Sequence, residues 1–142
     1  MKGVQYSLKL PSIRLFAGLC LLAVPSSAQE TAYSFSIEQL KDRLVMTIHT
    51  DEPLPCIGSS IRNRVVWDAD TMTVLLSGFI RPTPCLQGLD PASVRIDLGR
   101  DTSTVRYLRI QEGAFTDLWK ILCEGGGVRV SSIKKSFTSY SN

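Results

Sequence analysis

Apolar and polar residues alternate with a period of two along most of the chain beyond residue 32. Tyr33, Phe35 and Ile37 alternate with polar neighbours, and so do Leu44, Met46 and Ile48. That period puts one face of an extended strand in a core and the other in water. Folding the two runs about the polar stretch 38–43 predicts a hairpin with Ile37 opposite Leu44, Phe35 opposite Met46 and Tyr33 opposite Ile48. A helix competes here, because Ser36 and Gln39 have capping-box spacing and Ile37, Leu40 and Leu44 share a helical face. The β-branched and aromatic content at either end favours strands.

The same pairing test extends along the chain. Ile61, Val65 and Trp67 run toward the turn-like Asp68-Ala69-Asp70-Thr71, and Val74, Leu76 and Ile80 return from it. Trp67 is expected opposite Val74, Val65 opposite Leu76 and Ile61 opposite Ile80. Val94, Ile96 and Leu98 form another alternating run. A loop centred on Gly113 sets Tyr107 against Trp119, Val105 against Ile121, Leu108 against Leu118, and Arg109 against Asp117 as an opposite-charge pair. Helical spacing of Phe115, Leu118, Trp119 and Leu122 is the competing pattern there. Glu124-Gly125-Gly126-Gly127 then turns Cys123 onto Val128 and Ile121 onto Val130. The polar, serine-rich stretch 134–142 is expected to be a flexible tail that frays.

Seven or eight short strands in an antiparallel meander make the expected fold all-β. The long Pro-rich connections 51–59 and 81–92 suit strands crossing between two sheets. The expected architecture is therefore a small immunoglobulin-like β-sandwich, with a small up-and-down β-barrel as the alternative. No break in composition and no solenoid-scale repeat divides residues 29–133, which read as one domain.

The start of the chain has a different pattern. Lys2, Lys9 and Arg14 lead into and flank an apolar stretch running to Val24, and Ser26-Ser27-Ala28 supplies small residues before Gln29. This is the pattern of a secretory signal peptide over residues 1–28. The apolar stretch, from Leu15, spans only about 15 Å as a helix, half a bilayer core, so no transmembrane segment is expected after cleavage. Lipidation at Cys20 is the minor alternative, since Leu19 is large where a lipoprotein signal wants a small residue. The protein is thus expected to be secreted or periplasmic.

Removing that segment changes the charge. The whole chain has 16 Lys and Arg against 13 Asp and Glu, a net of +3. Three of the cations lie in the leader and none of the anions does, so the mature product is formally neutral. Net charge therefore offers no case for a nucleic-acid partner.

Of the four cysteines, Cys56, Cys85 and Cys123 lie beyond the leader. Facing positions in the second hairpin sum to 141, as do 56 and 85, so the ladder extended outward brings Cys56 and Cys85 together. Each closes a Pro-x-Pro-Cys tetrapeptide. The rival bridge is Cys56–Cys123, because Cys56, Trp67 and Cys123 have a spacing that loosely resembles that of immunoglobulin domains. Ile121 stands where those domains carry Tyr, and Cys56 sits in a proline loop instead of a strand. Outside a bridge, Cys123 reads as a small buried thiol.

Chemistry-bearing motifs are sparse. His49 is the single histidine; with Cys56 it lacks the four ligands of a structural zinc site, and no Gly-x-Ser-x-Gly elbow accompanies it. Asp68 and Asp70 read as turn formers. Gly125-Gly126-Gly127 has neither the lysine nor the helix of a phosphate-binding loop. Arg62, Arg64, Arg95, Arg106, Arg109 and Arg129 read as a solvated sheet face. Neither cofactor nor metal is expected, and the protein reads as non-catalytic.

The function expected is a secreted binding module. Its two Pro-x-Pro-Cys loops, stiffened by proline and the bridge, would meet a protein, glycan or envelope component through Leu54, Ile57, Thr83 and Leu86. A rigid loop of this kind would also serve a protease inhibitor. A barrel cavity lined by Tyr33, Phe35, Tyr107 and Trp119 would instead make a small-ligand carrier.

Overall fold

The computed structural model describes residues 32–100 and 106–142. Residues 1–28, expected to be a leader and containing Cys20, and Val105 lie outside the described residues. Within them the chain is all-β, with strands β1 (Tyr33–Leu40), β2 (Arg43–Thr50), β3 (Ser60–Asp68), β4 (Thr71–Ile80), β5 (Ser93–Arg100), β6 (Arg106–Glu112), β7 (Phe115–Glu124), β8 (Gly127–Lys134) and β9 (Thr138–Tyr140). They form one mixed sheet in the order β8-β7-β6-β4-β3-β5-β2-β1-β9, nearly closed into a barrel.

The alternation that suggested strands also decides which side chains meet inside. Tyr33, Phe35, Leu44, Met46, Ile48, Val74, Leu108 and Ile110 are wholly buried, with Trp119 and Ile121 nearly so. Phe35 and Trp119 pack edge to face with centroids 5.0 Å apart, joining β1 to β7 across the interior. Burying an aliphatic or aromatic side chain stabilises a fold by roughly 1.5–3 kcal/mol, so this filled centre dominates its stability.

Registers depart from expectation by small, systematic amounts. The β1–β2 pairing puts Ile37 opposite Met46 and Phe35 opposite Ile48, because Lys41-Asp42 alone form the turn. In β3–β4, Val65 faces Val74 and Trp67 faces Met72. Both hairpins slip by two residues, which leaves the buried face unchanged up to the β3–β4 bulge. Beyond it Ile61 faces Phe79, and Ile80, expected opposite Ile61, is exposed. Trp67 nonetheless ends at an open rim, half exposed, with the Arg106 guanidinium 6.0 Å from its ring centroid. The β7–β8 register has Ile121 on Val130 and Cys123 on Val128 as the glycine turn implies. Gly125 and Gly126 both have positive φ there, the backbone a two-residue type I′ turn requires.

The β6–β7 hairpin slips by one residue, and the β6 side chains change face while Trp119 and Ile121 on β7 stay inside. Gly113 and Ala114 form a two-residue turn, so Leu108 faces Trp119, Arg109 faces Leu118 and Ile110 faces Asp117. Tyr107 and Arg109 therefore leave the inner face, and Asp117, which stays on it beside Trp119, lies opposite Ile110 instead of pairing with Arg109.

The meander is also interrupted. β6 pairs in parallel with β4, β9 with β1, and β5 touches β3 in parallel at one position, Ser60 on Ser93. Residues 134–142, expected to fray, instead contain β9, and Phe137 and Thr138 are buried. Their anchor is Asp117. Its carboxylate accepts hydrogen bonds from the Ser136 amide (2.7 Å) and hydroxyl (2.6 Å), the Phe137 amide (3.1 Å), and the Thr138 amide and hydroxyl (both 2.7 Å). The indole of Trp119 donates to the Thr138 hydroxyl at 3.0 Å.

Candidate functional site

The two long connections, between β2 and β3 and between β4 and β5, leave the same end of the barrel. Cys56 and Cys85 join them through a disulfide with Cα atoms 5.6 Å apart. Cys123 remains a buried thiol on the inner face of β7, remote from that end, which sets aside the rival Cys56–Cys123 bridge.

Backbone pairing reinforces the staple. Leu54 and Asp90 exchange both amide–carbonyl hydrogen bonds, at 2.9 and 3.1 Å, and the Ile57 amide donates to the Leu86 carbonyl at 3.1 Å. The Asp90 carboxylate accepts from the Gly58 amide at 3.3 Å. Below, the buried Thr50 hydroxyl accepts from the Ala92 amide at 3.1 Å and donates to the Glu52 carbonyl at 2.7 Å. The Ser59 hydroxyl donates to the Cys56 carbonyl at 2.8 Å. These bonds satisfy loop backbone that has no strand partner, so the loops are an ordered extension of the sheet. The register drifts on the way, from facing sums of 139 in mid-hairpin to 143 at Ile57 and Leu86. The bridge therefore does not arise from a straight ladder; Ser77 and Gly78 opposite Arg62 add a residue, and the loops re-pair beyond it.

The tip of this extension is apolar. Ile57 is 44 % exposed, Leu86 63 % and Leu89 74 %. Of the residues singled out from the sequence, Ile57, Thr83 and Leu86 are exposed at this end, whereas Leu54 packs down against the core. Leu89 was missed, although a lone leucine between Gly88 and Asp90 has no alternation partner to bury it. Gly88 lies close to Ile57, and an added Cβ would sit 2.5 Å from its Cδ1 and 2.7 Å from its Cγ1. Gly88→Ala is therefore expected to push the Ile57 side chain outward at a cost below about 1 kcal/mol, since an exposed isoleucine can change rotamer. An unchanged melting midpoint with altered Ile57 methyl shifts in NMR is the expected result.

Chemical groups elsewhere do not converge. Among the described residues, no three His, Cys, Asp or Glu side chains form a cluster that could hold a metal. His49 is half buried opposite Ser34. Asp70 holds the β3–β4 turn, accepting from the Thr71 hydroxyl at 3.1 Å while its carbonyl accepts from the Tyr107 amide at 3.0 Å. Tyr33, Phe35 and Trp119 fill the interior in which a carrier would hold its ligand, and Tyr107 does not point into it. Among the described residues no helix is long and apolar enough to cross a membrane. No protein-family model matches the chain, and no curated protein or solved structure shows significant similarity to it.

Proposed function

We propose that the protein is an exported, non-catalytic binding module that engages a protein partner through the stapled tip formed by Ile57, Leu86 and Leu89. One observation carries this reading: three large aliphatic side chains stand in water on loops locked by a disulfide and by paired backbone. Ordered loops lose little entropy on binding, which favours affinity for a given contact area. Aliphatic side chains without an aromatic among them suit an apolar pocket on a protein better than a sugar ring. A disulfide fits an oxidising compartment outside the cytosol, as does the leader pattern.

The test is site-specific photo-crosslinking in the native extracellular milieu, with the photoreactive residue at position 86 or, as a control, at the exposed Glu38 on β1. A discrete adduct from position 86 alone, lost when Leu89→Asp is added, is the expected result. Leu89→Asp should change stability by less than about 0.5 kcal/mol, because its side chain is exposed. Equal adducts from both positions, or persistence of the adduct in the Leu89→Asp variant, would overturn the reading.

A further inference from the structure

The near-balance of charge along the chain conceals a lopsided distribution over the barrel. Inner positions of β3, β4, β6, β7 and β8 are largely apolar; their outer positions carry Arg62, Arg64, Arg109, Lys120, Arg129 and Lys134. All but Lys120 are exposed, and Lys120 is half buried. The acids on this outer face, among the described residues, are Asp68 and Glu124, each at a strand end. Neither described ion pair lies here; Arg43–Asp97 and Arg100–Asp42 are on the β2–β5 half and its turn. None of the six cations makes a hydrogen bond or ion pair among the described residues.

Register arranges several of these cations as a track. Tyr107 faces Lys120, so Arg109 is the diagonal neighbour of Lys120; Lys120 faces Ser131, so Arg129 is diagonal to Lys120 in turn. Diagonal neighbours in an antiparallel pair are about 7–8 Å apart. Arg64, aligned with Leu75 and hence with Gln111, continues the line across β4. The track runs obliquely over the strands, and it ends beside a shallow cleft lined by Leu122, Glu124, Gly127, Val128 and Arg129.

We propose that this face binds an anionic polysaccharide. A row of separated, unpaired cations attracts a linear polyanion, with affinity arising largely from release of its counterions. Glu124 in the terminal cleft and Asp68 at the far side would repel a continuous anionic surface such as a lipid headgroup plane, but each can accept hydrogen bonds from sugar hydroxyls. Nucleic acid is disfavoured because Tyr107 is the one aromatic residue among the outer positions, too few for a base-stacking platform. The inference is independent of the apolar tip, which lies at the barrel end away from Arg129.

The experiment titrates the purified protein with dextran sulfate and polygalacturonate, alongside phosphatidylglycerol vesicles and a single-stranded oligothymidine. Saturable polysaccharide binding that weakens at least tenfold between about 50 and 200 mM salt is expected. Arg64→Ser, Arg109→Ser, Lys120→Ser and Arg129→Ser combined should abolish it, and each single change should lower the salt slope by about one. Arg95→Ser, an exposed cation on β5 outside the face, should leave it intact, as should Leu86→Asp, which separates this proposal from the tip. Retention of polysaccharide by the folded quadruple variant, or binding confined to vesicles or to oligothymidine, would overturn the proposal.

Discussion

Asp117→Ala is expected to be the most damaging single substitution in the protein. The side chain is wholly buried and its carboxylate accepts five hydrogen bonds from Ser136, Phe137 and Thr138. Truncation leaves the Phe137 and Thr138 amides and the Thr138 hydroxyl without that acceptor inside the fold, and each orphaned group costs about 1–3 kcal/mol. The expected loss is at least about 3 kcal/mol, equivalent to roughly 12 °C or more in melting midpoint for a domain of this size. β9 should detach with it, because Phe137 packs edge to face on Tyr33 with centroids 6.1 Å apart only while the 136–138 backbone is held. Hydrogen exchange checks this directly: the Tyr33 amide, bonded to the Phe137 carbonyl at 3.1 Å, should lose protection before the β3–β4 amides do.

Acid should reproduce part of the same effect. Burial pushes the Asp117 carboxyl upward, but hydrogen bonds from the Ser136 and Thr138 hydroxyls and from the Thr138 and Phe137 amides outweigh it. The group is held below the ordinary carboxylate range. Its folded value therefore lies below its unfolded value of about 3.9. The stabilisation is fully present above the unfolded value and is lost as pH falls through the folded one. Wild-type midpoints should drop below about pH 4 more steeply than those of Asp117→Asn, which is less stable at neutral pH but lacks this proton. Parallel midpoint–pH curves for the two proteins would show that Asp117 does not carry the latch.

The mispairing of Asp117 with Arg109 also shows where sequence reasoning stops. Alternation identifies strands, and a two-residue slip in β1–β2 or β3–β4 keeps Phe35, Met46 and Val74 inside; only Trp67 at the rim and Ile80 beyond the bulge fall out of the expected core. A one-residue slip has the opposite consequence, because side chains alternate faces with period two. Gly113 with Ala114 makes a two-residue turn, whereas a loop centred on Gly113 pairs Arg109 with Asp117 so plausibly that the wrong register looks electrostatically favoured. The glycine pair at Gly125 and Gly126 left no such latitude, and that hairpin's register was legible up to the bulge between Leu118 and Trp119. The parallel pairings of β4 with β6 and β1 with β9 join segments with no turn between them, so no local signal sets their register. The basic face was hidden for a related reason. Arg64, Arg109, Lys120 and Arg129 are scattered in sequence; the β6–β7 and β7–β8 registers align the last three and β4–β6 pairing adds Arg64, which summed charge cannot show.

Removing the disulfide with Cys56→Ala and Cys85→Ala should have the second largest effect, and it should be local before it is global. Closing a loop of about 30 residues restricts the unfolded chain by about 3–4 kcal/mol in the chain-entropy model. The expected fall in melting midpoint is therefore about 10–15 °C. Within the folded state, the pairs Leu54–Asp90 and Ile57–Leu86 would remain as isolated bridges, each contributing about 1 kcal/mol per hydrogen bond. That is too little to hold the loops in one arrangement against their own conformational entropy. Amide exchange in 51–59 and 81–92 should accelerate at temperatures where the β1–β2 ladder stays protected. The tip adduct formed through position 86 should weaken, while polysaccharide affinity, carried by a face built on the barrel wall, should not change. A double variant that melts with the wild type would remove the staple from the account of stability, and unchanged loop protection would remove preorganisation from the account of binding.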